Sequence, residues 1–236
     1  MSALKEDKIK PPKVKPHFTG HRQRLRERLL ESGADALQDY ELLEILLFAG
    51  IPQRDVKPLA KDLLTKFKTL KGVIHASPDA LEEFGLGDAA ISIFTTVAAT
   101  HIRISRDEMI DQPVLNNWQK ILDYCYAAMA HETVEQLRII FLNRKNRVIA
   151  DEVMQKGTID HTPVYTREVV KRALELGSGA IILVHNHPTG DPTPSKDDIV
   201  MTKAIADALK TVSIVLHDHL IIGKGRHTSF KESGLL

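Results

Sequence analysis

The chain has 236 residues, 43% of them apolar and 27% charged, which is enough to build one large or two small globular cores and excludes a disordered chain. A single cysteine, Cys125, excludes an intramolecular disulfide framework and every cysteine-rich zinc site. The net charge of +1 hides an asymmetry: residues 1–30 hold nine Lys/Arg against three acids, a local charge of +6 that leaves −5 on the remainder.

Residues 1–16 mix lysines with Pro11, Pro12 and Pro16 and read as a flexible basic tail. Such a leader can meet nucleic acid or simply stay solvated. It has no apolar h-region, and no run in the chain approaches the length of a membrane span. A soluble, reducing, cytoplasmic setting is therefore expected. From 17 to 107 the patterning is helical. Arg22 to Leu30 is basic and amphipathic, and Asp39 begins a second helix as N-cap, continuing through the apolar Leu42 to Leu47. Val56 to Phe67 carries Pro58 in its first turn, and Ser77-Pro78 marks another start, serine as cap and proline at N1. Gly85-Leu86-Gly87 opens a further apolar helix in the manner of a helix-hairpin-helix turn, whose backbone amides hold a DNA phosphate. The residues that follow here, Asp88-Ala89-Ala90, supply no cation, and an acid repels a phosphate. A packing or protein-binding hairpin is the better reading.

A boundary is expected between Asp107 and Pro113, after which strands and helices alternate through 113–236. Trp118 to Ala130 reads as an apolar helix. Gln136 to Leu142 and Arg147 to Met154 read as strands joined by the polar turn Asn143-Arg144-Lys145-Asn146. Arg167 to Leu176 is a helix ended by Gly177. Strand 180–185, helix 195–210, strand 212–217 and a short strand Leu220 to Ile222 follow, an α/β arrangement.

Chemistry concentrates at His185-Asn186-His187-Pro188, with Ser195 and Asp198 after a turn. Side chains at i and i+2 of a strand point the same way, about 6–7 Å apart at Cα. Two imidazoles so placed can converge on one ion at Zn–N distances of about 2.0–2.1 Å. Asn186 faces the other side. Prolines 188, 192 and 194 with Gly190 force a turn, and Ser195 restarts order as an N-cap with Asp197 and Asp198 at N2 and N3. Ser195 with Asp198 is also an ordinary capping pair, and acids in a first helical turn suit the dipole. The joint pattern, after a buried strand and across a turn, favours a metal site over either element alone. Competing patterns are weaker. His131-Glu132 to Glu135 ends in glutamate where a second histidine would complete H-E-x-x-H. His217-Asp218-His219 repeats the i,i+2 spacing without loop or helical carboxylate, which suits a structural or supporting role. A P-C-x-x-C deaminase site is impossible with one cysteine. Arg144, Lys145 and Arg147 read as a solvated turn.

The string H-x-H-x7-S-x-x-D resembles the signature of the JAMM (JAB/MPN) metalloproteases. Phe141-Leu142-Asn143, Gly157-Thr158, Arg167-Glu168-Val169, the segment His185 to Pro192 and Asp218 to Gly223 resemble the RadC family. Gly20-His21-Arg22, Asp39 to Leu43 and Asp55 to Ala60 resemble that family's helical leader, so the likeness runs from about residue 17 onward. It implies a cytidine-deaminase-like mixed sheet flanked by helices, preceded by an all-α, helix-hairpin-helix-like domain. It also implies one zinc per chain on His185, His187 and Asp198, with water in the fourth position. Periodicity alone leaves the carboxylate open, because the apolar face of the helix lies midway between Asp197 and Asp198; the family spacing selects Asp198. Ser195 would stabilise the oxyanion. The family's glutamate falls at a strand start, here Glu135, which is in phase with Leu137, Ile139 and Phe141. Glu132 is out of phase, and Glu152, in phase with Val148 and Ala150, is the competitor.

The implied function is hydrolysis of a peptide, isopeptide or amide bond in a protein or peptide substrate, with no membrane partner. Two other classes stay open. One is a DNA-associated repair or recombination factor that meets nucleic acid through the basic N-terminal region, with a structural or vestigial zinc domain. The other is an interaction module with a dead site, which the intact motif argues against. Substrate and oligomeric state are not legible.

Overall fold

A computed structural model describes residues 20–114, 117–157 and 166–236. The basic tail expected at 1–16 and Thr158 of the family likeness lie outside them. The chain divides into two compact units, Met1–Phe94 and Thr95–Leu236. No helix among the described residues is long and apolar enough to cross a membrane.

The first unit is helical. It contains α1 (His21–Ser32), α2 (Asp39–Gly50), α3 (Lys57–Phe67), α4 (Leu70–Ile74), α5 (Pro78–Glu82) and the opening of α6 (Asp88–Met109). Their starts follow local chemistry. Pro58 sits in the first turn of α3, and the Ser77 hydroxyl accepts the Ala80 N–H at 3.3 Å ahead of Pro78. The cap of α2 is a correction: it is Gln38, one residue before Asp39, because the Glu41 carboxylate reaches back to the Gln38 N–H at 3.0 Å. Leu43, Leu47, Leu63, Val73 and Phe94 are sealed in the core. Gly50 permits a close backbone approach, since a Cβ there would lie 2.5 Å from Ala90 Cα. Arg22 is spent structurally: its guanidinium donates to the carbonyls of Phe48, Ile51 and Arg54, at 3.3, 2.7 and 2.7 Å.

The second unit is a mixed α/β layer structure. It holds the rest of α6, then α7 (Trp118–Met129), β1 (Gln136–Leu142), β2 (Val148–Lys156), α8 (Thr166–Glu175), β3 (Ala180–Asn186), α9 (Lys196–Thr211), β4 (Val215–Ile222) and β5 (His227–Ser229). The five-stranded sheet has the order β2-β1-β3-β4-β5. β1 is antiparallel to β2 and β3, β3 and β4 are parallel, and β5 returns antiparallel. The parallel pair needs a crossover, and α9 supplies it. On one face Ile121 and Cys125 of α7 pack with Ile140, Val184 and Leu220. On the other, Val169 and Ala173 of α8 and Ile205 and Leu209 of α9 pack with Ile139 and Leu183. β3 lies between both layers and is buried along its whole length, which explains its uninterrupted apolar sequence.

The two strands expected at 212–217 and 220–222 are one. Val212 caps α9, Ser213 turns with φ of 58°, and β4 runs unbroken from Val215 to Ile222. The polar Asp218-His219 pair does not interrupt it, because the buried Asp218 carboxylate accepts from the His219 N–H (2.7 Å), the Lys231 N–H (3.0 Å) and the Ser229 hydroxyl (2.6 Å).

Candidate metal centre

His185 is placed by the sheet. It pairs in register with Leu137 of β1 and Ile221 of β4, so it shares the face of Leu183 that α8 and α9 cover, and it is fully buried. His187 lies one residue past the strand end, its N–H donating to the Ile222 carbonyl at 3.0 Å. The proline-rich segment then folds back. Gly190 takes φ of 89° and donates to the His187 carbonyl at 2.9 Å, while Lys224 N–H donates to the Gly190 carbonyl at 3.2 Å. Gly223 allows this contact, because a Cβ there would fall 2.4 Å from the Gly190 oxygen. The Asp191 carboxylate holds the next turn through Thr193, accepting N–H at 3.2 Å and hydroxyl at 2.8 Å. That brings α9 back with its first turn against the end of β3.

Ser195 caps α9, and Asp198 answers it: Oδ2 of Asp198 accepts both the Ser195 N–H and hydroxyl at 2.7 Å, while Ser195 Oγ accepts the Asp198 N–H at 3.1 Å. Asp198 is thereby buried while Asp197 stays exposed. Its Oδ1 faces His185 Nε2 at 3.2 Å, and Oδ2 lies 3.5 Å from His187 Nε2. The two Nε2 atoms are 2.9 Å apart, and ligating atoms of His185, His187 and Asp198 all lie within 4.8 Å of one another.

The donor set fits a cation. His187 Nδ1 lies 2.7 Å from the Asp191 carbonyl, which can only accept, so Nδ1 carries a proton and Nε2 is the nitrogen that offers a lone pair when the ring is neutral. Two imidazole nitrogens and a carboxylate oxygen converging from separate elements are the ligand number and type of an open tetrahedral site. The local fields are strong. Burial pushes His185 down to about 4. The Asp198 carboxylate raises His187, with Asp191, and the Glu135 charge adding to it. Burial pushes the Asp198 carboxyl up, yet His187, His185 and Ser195 together hold it well below the usual carboxylate range.

The remaining expected residues separate cleanly. Glu135 stands half-buried at the mouth of β1, close enough for its charge to act on His187. Its backbone is pinned on both sides: Asn186 Oδ1 accepts the Gln136 N–H at 2.9 Å, Asn186 Nδ2 donates to the Val134 carbonyl at 3.2 Å, and Gly157 N–H donates to the Glu135 carbonyl at 2.9 Å. Glu152 is engaged elsewhere, gripped by Arg172 of α8 through both carboxylate oxygens at 2.8 and 2.6 Å, which lowers its pKa. Glu132 is taken by Gln136 and Lys156, at 2.6 and 3.5 Å. Ser195 is exposed beside the triad with its hydroxyl turned to Asp198.

Three neighbours complete the surroundings, of which sequence reasoning gave His219 a structural or supporting role and missed the other two. Asn186, set aside because it faces away, holds the Glu135 segment. His219 reaches His185, its Nε2 lying 2.8 Å from His185 Nδ1. Thr202, one helical turn after Asp198, lies 2.6 Å from His219 Nδ1 and donates to the Asp198 carbonyl at 2.5 Å. The i,i+4 spacing from Asp198 is the signal that could have found Thr202; which ligand His219 supports is decided only by the parallel register of β3 and β4.

Comparison with known proteins agrees with the fold, a helical N-terminal region followed by a mixed α/β domain. Residues 115–235 match a family described as RadC-like JAB domain, and residues 19–92 match one described as UPF0758 N-terminal. A "UPF0758 protein" of Rhodobacter capsulatus is 54% identical over 213 residues, covering 90% of this chain and 100% of that protein.

Proposed function

The chain belongs to the family built on a RadC-like JAB domain, and from that premise we propose that it is a zinc-dependent metallopeptidase acting on a peptide, isopeptide or amide bond of a protein or peptide in the cytoplasm. One observation carries the reading: His185, His187 and Asp198 turn ligand-type atoms toward a common point, all within 4.8 Å of one another, with His187 and Ser195 still reachable from solvent. Zinc suits two imidazoles and one carboxylate with a position left open.

A zinc ion held by these residues would supply Lewis acidity to a bound carbonyl and lower the pKa of water toward about 7. The protein's own groups do the rest. Glu135 takes a proton from the attacking water as its oxygen bonds to the carbonyl carbon, then delivers it to the amine nitrogen as the C–N bond breaks. Asn186 holds the backbone on either side of Glu135, which limits the freedom of the segment that carries the carboxylate. Ser195 turns its hydroxyl from Asp198 to the developing oxyanion, while its backbone N–H keeps Asp198 in place.

Glu135→Gln is the direct test, read by zinc content and by cleavage of an unbiased peptide library. We expect zinc to remain at one per chain and turnover to fall by about 10²–10⁴. Unchanged turnover moves the proton-transfer role off Glu135.

A further inference from the structure

We infer that His219 and Thr202 are positioning residues of the metal centre: they dictate which nitrogen of His185 carries its proton, and so keep Nε2 of His185 open to the ion. The inference rests on His185 being a metal ligand, and it follows from counting protons along one hydrogen-bonded chain.

The chain starts at the backbone carbonyl of Asp198, which can only accept. Thr202 Oγ1 lies 2.5 Å from that oxygen, so the single hydroxyl proton sits between them. With its proton spent, Thr202 Oγ1 can only accept from His219 Nδ1, 2.6 Å away, and Nδ1 therefore carries a proton. His219 is fully buried with its ring nitrogens on Thr202 Oγ1 and His185 Nδ1, neither of them an anion to offset a buried charge, so the ring is neutral and Nε2 has a lone pair. His185 Nδ1 lies 2.8 Å from that lone pair and must donate to it. With the proton of the neutral imidazole on Nδ1, His185 Nε2 is the bare nitrogen, facing His187 Nε2 at 2.9 Å and Asp198 Oδ1 at 3.2 Å. The order of protons is thus set from the backbone of one ligand to the ring of another. Phe230 keeps the relay ring in plane, stacked on His219 with centroids 4.5 Å apart and planes at 31°.

The consequence is chemical. A neutral imidazole ligates only through its unprotonated nitrogen, and a ring with Nε2–H would turn a proton toward the cation. Thr202 touches no ligand side chain in this chain of bonds, yet removing its hydroxyl frees His219 to adopt the other tautomer. His219 would then donate from Nε2, and His185 would have to move its proton to Nε2.

The experiment measures zinc dissociation constants against a chromophoric chelator and ¹⁵N imidazole shifts of the metal-free protein, for wild type, Thr202→Val, Thr202→Ser and His219→Phe. In the wild type, His185 is expected to be protonated at Nδ1 and bare at Nε2. Thr202→Val and His219→Phe should weaken zinc binding by about 10–100-fold. Thr202→Ser, which restores a hydroxyl, should recover affinity to within a few-fold of wild type. A His185 proton on Nε2 in the wild type overturns the inference. So does zinc binding unchanged in both Thr202→Val and His219→Phe when thermal unfolding shows them folded. If either variant fails to fold, the wild-type tautomer alone decides. A wild-type chain that binds no zinc sinks the metallopeptidase reading, whereas wild-type binding that both variants share sinks only the relay.

Discussion

The sheet of the second unit buries a polar cluster on each face, and the two are built on opposite terms. On the α7 face, Asp151 of β2 accepts from Arg138 and from the Tyr124 hydroxyl at 2.5 Å, and Arg106 approaches the same oxygen at 3.5 Å. On the α9 face, His185, His187 and Asp198 gather, with His219 and Thr202 behind them. The first cluster is closed in charge: the Arg138 guanidinium meets the Asp151 carboxylate and the Tyr124 hydroxyl donates to the same oxygen, although Arg138 Nε and Asp151 Oδ1 find no hydrogen-bond partner. The second is open, because ring nitrogens of two histidines and a carboxylate oxygen face one another with no lysine or arginine paired to that carboxylate among the described residues. Burial therefore does not distinguish a functional site from a structural one. What distinguishes them is whether the charges close without a ligand.

The largest expected effect breaks the closed cluster. Asp151→Ala leaves the Arg138 guanidinium largely buried without a counterion and should destabilise the fold by about 3–5 kcal/mol in urea unfolding, with zinc content unchanged. Loss of zinc in that variant would mean the two faces are one system. Next is the open cluster. At zinc 100-fold above its dissociation constant the wild type should gain about 2.7 kcal/mol over the metal-free protein, and a His185→Ala/His187→Ala double variant should gain nothing. Stoichiometric zinc surviving in the double variant would remove the site.

The smallest effect concerns the carboxylate that competes with Glu135. Glu152→Gln should leave turnover intact and cost less than about 1 kcal/mol at neutral pH, because its partner Arg172 is more than one-third exposed. The sign with pH is specific. The Arg172 hydrogen bonds lower the Glu152 pKa below 4.5. Its contribution is therefore complete above that ordinary value and is lost as pH falls through the lowered one, so variant and wild type should converge in acid. A difference that persists there means the ion pair is not its source.

Much of the site was legible because its parts are local. An apolar run dense in β-branched residues makes a buried strand, and a period of two puts His185 and His187 on one side. Prolines and a glycine make the turn, and serine starts the helix. The mixed α/β fold with a helical N-terminal region was likewise carried by short-range periodicity. Misreadings came where a polar residue is satisfied from afar. Asp218 and His219 looked like the end of a strand because Ser229, Lys231 and Thr202 are distant in sequence. Asp39 looked like a cap because the carboxylate that reaches back to Gln38 belongs to Glu41.

By itself the sequence determined most of the strand and helix segments, the turn after His187, and that two histidines and a helical carboxylate share one short stretch. Those are consequences of backbone periodicity, capping and ring constraints, which act over a few residues. Only tertiary structure decided that Asp198 is buried and Asp197 is not, that Arg172 occupies Glu152, that Asn186 braces Glu135, and that His219 and Thr202 order the protons behind His185. Each of those depends on strand register and helix placement, and a hydrogen bond formed across such a distance leaves no periodic trace in the chain.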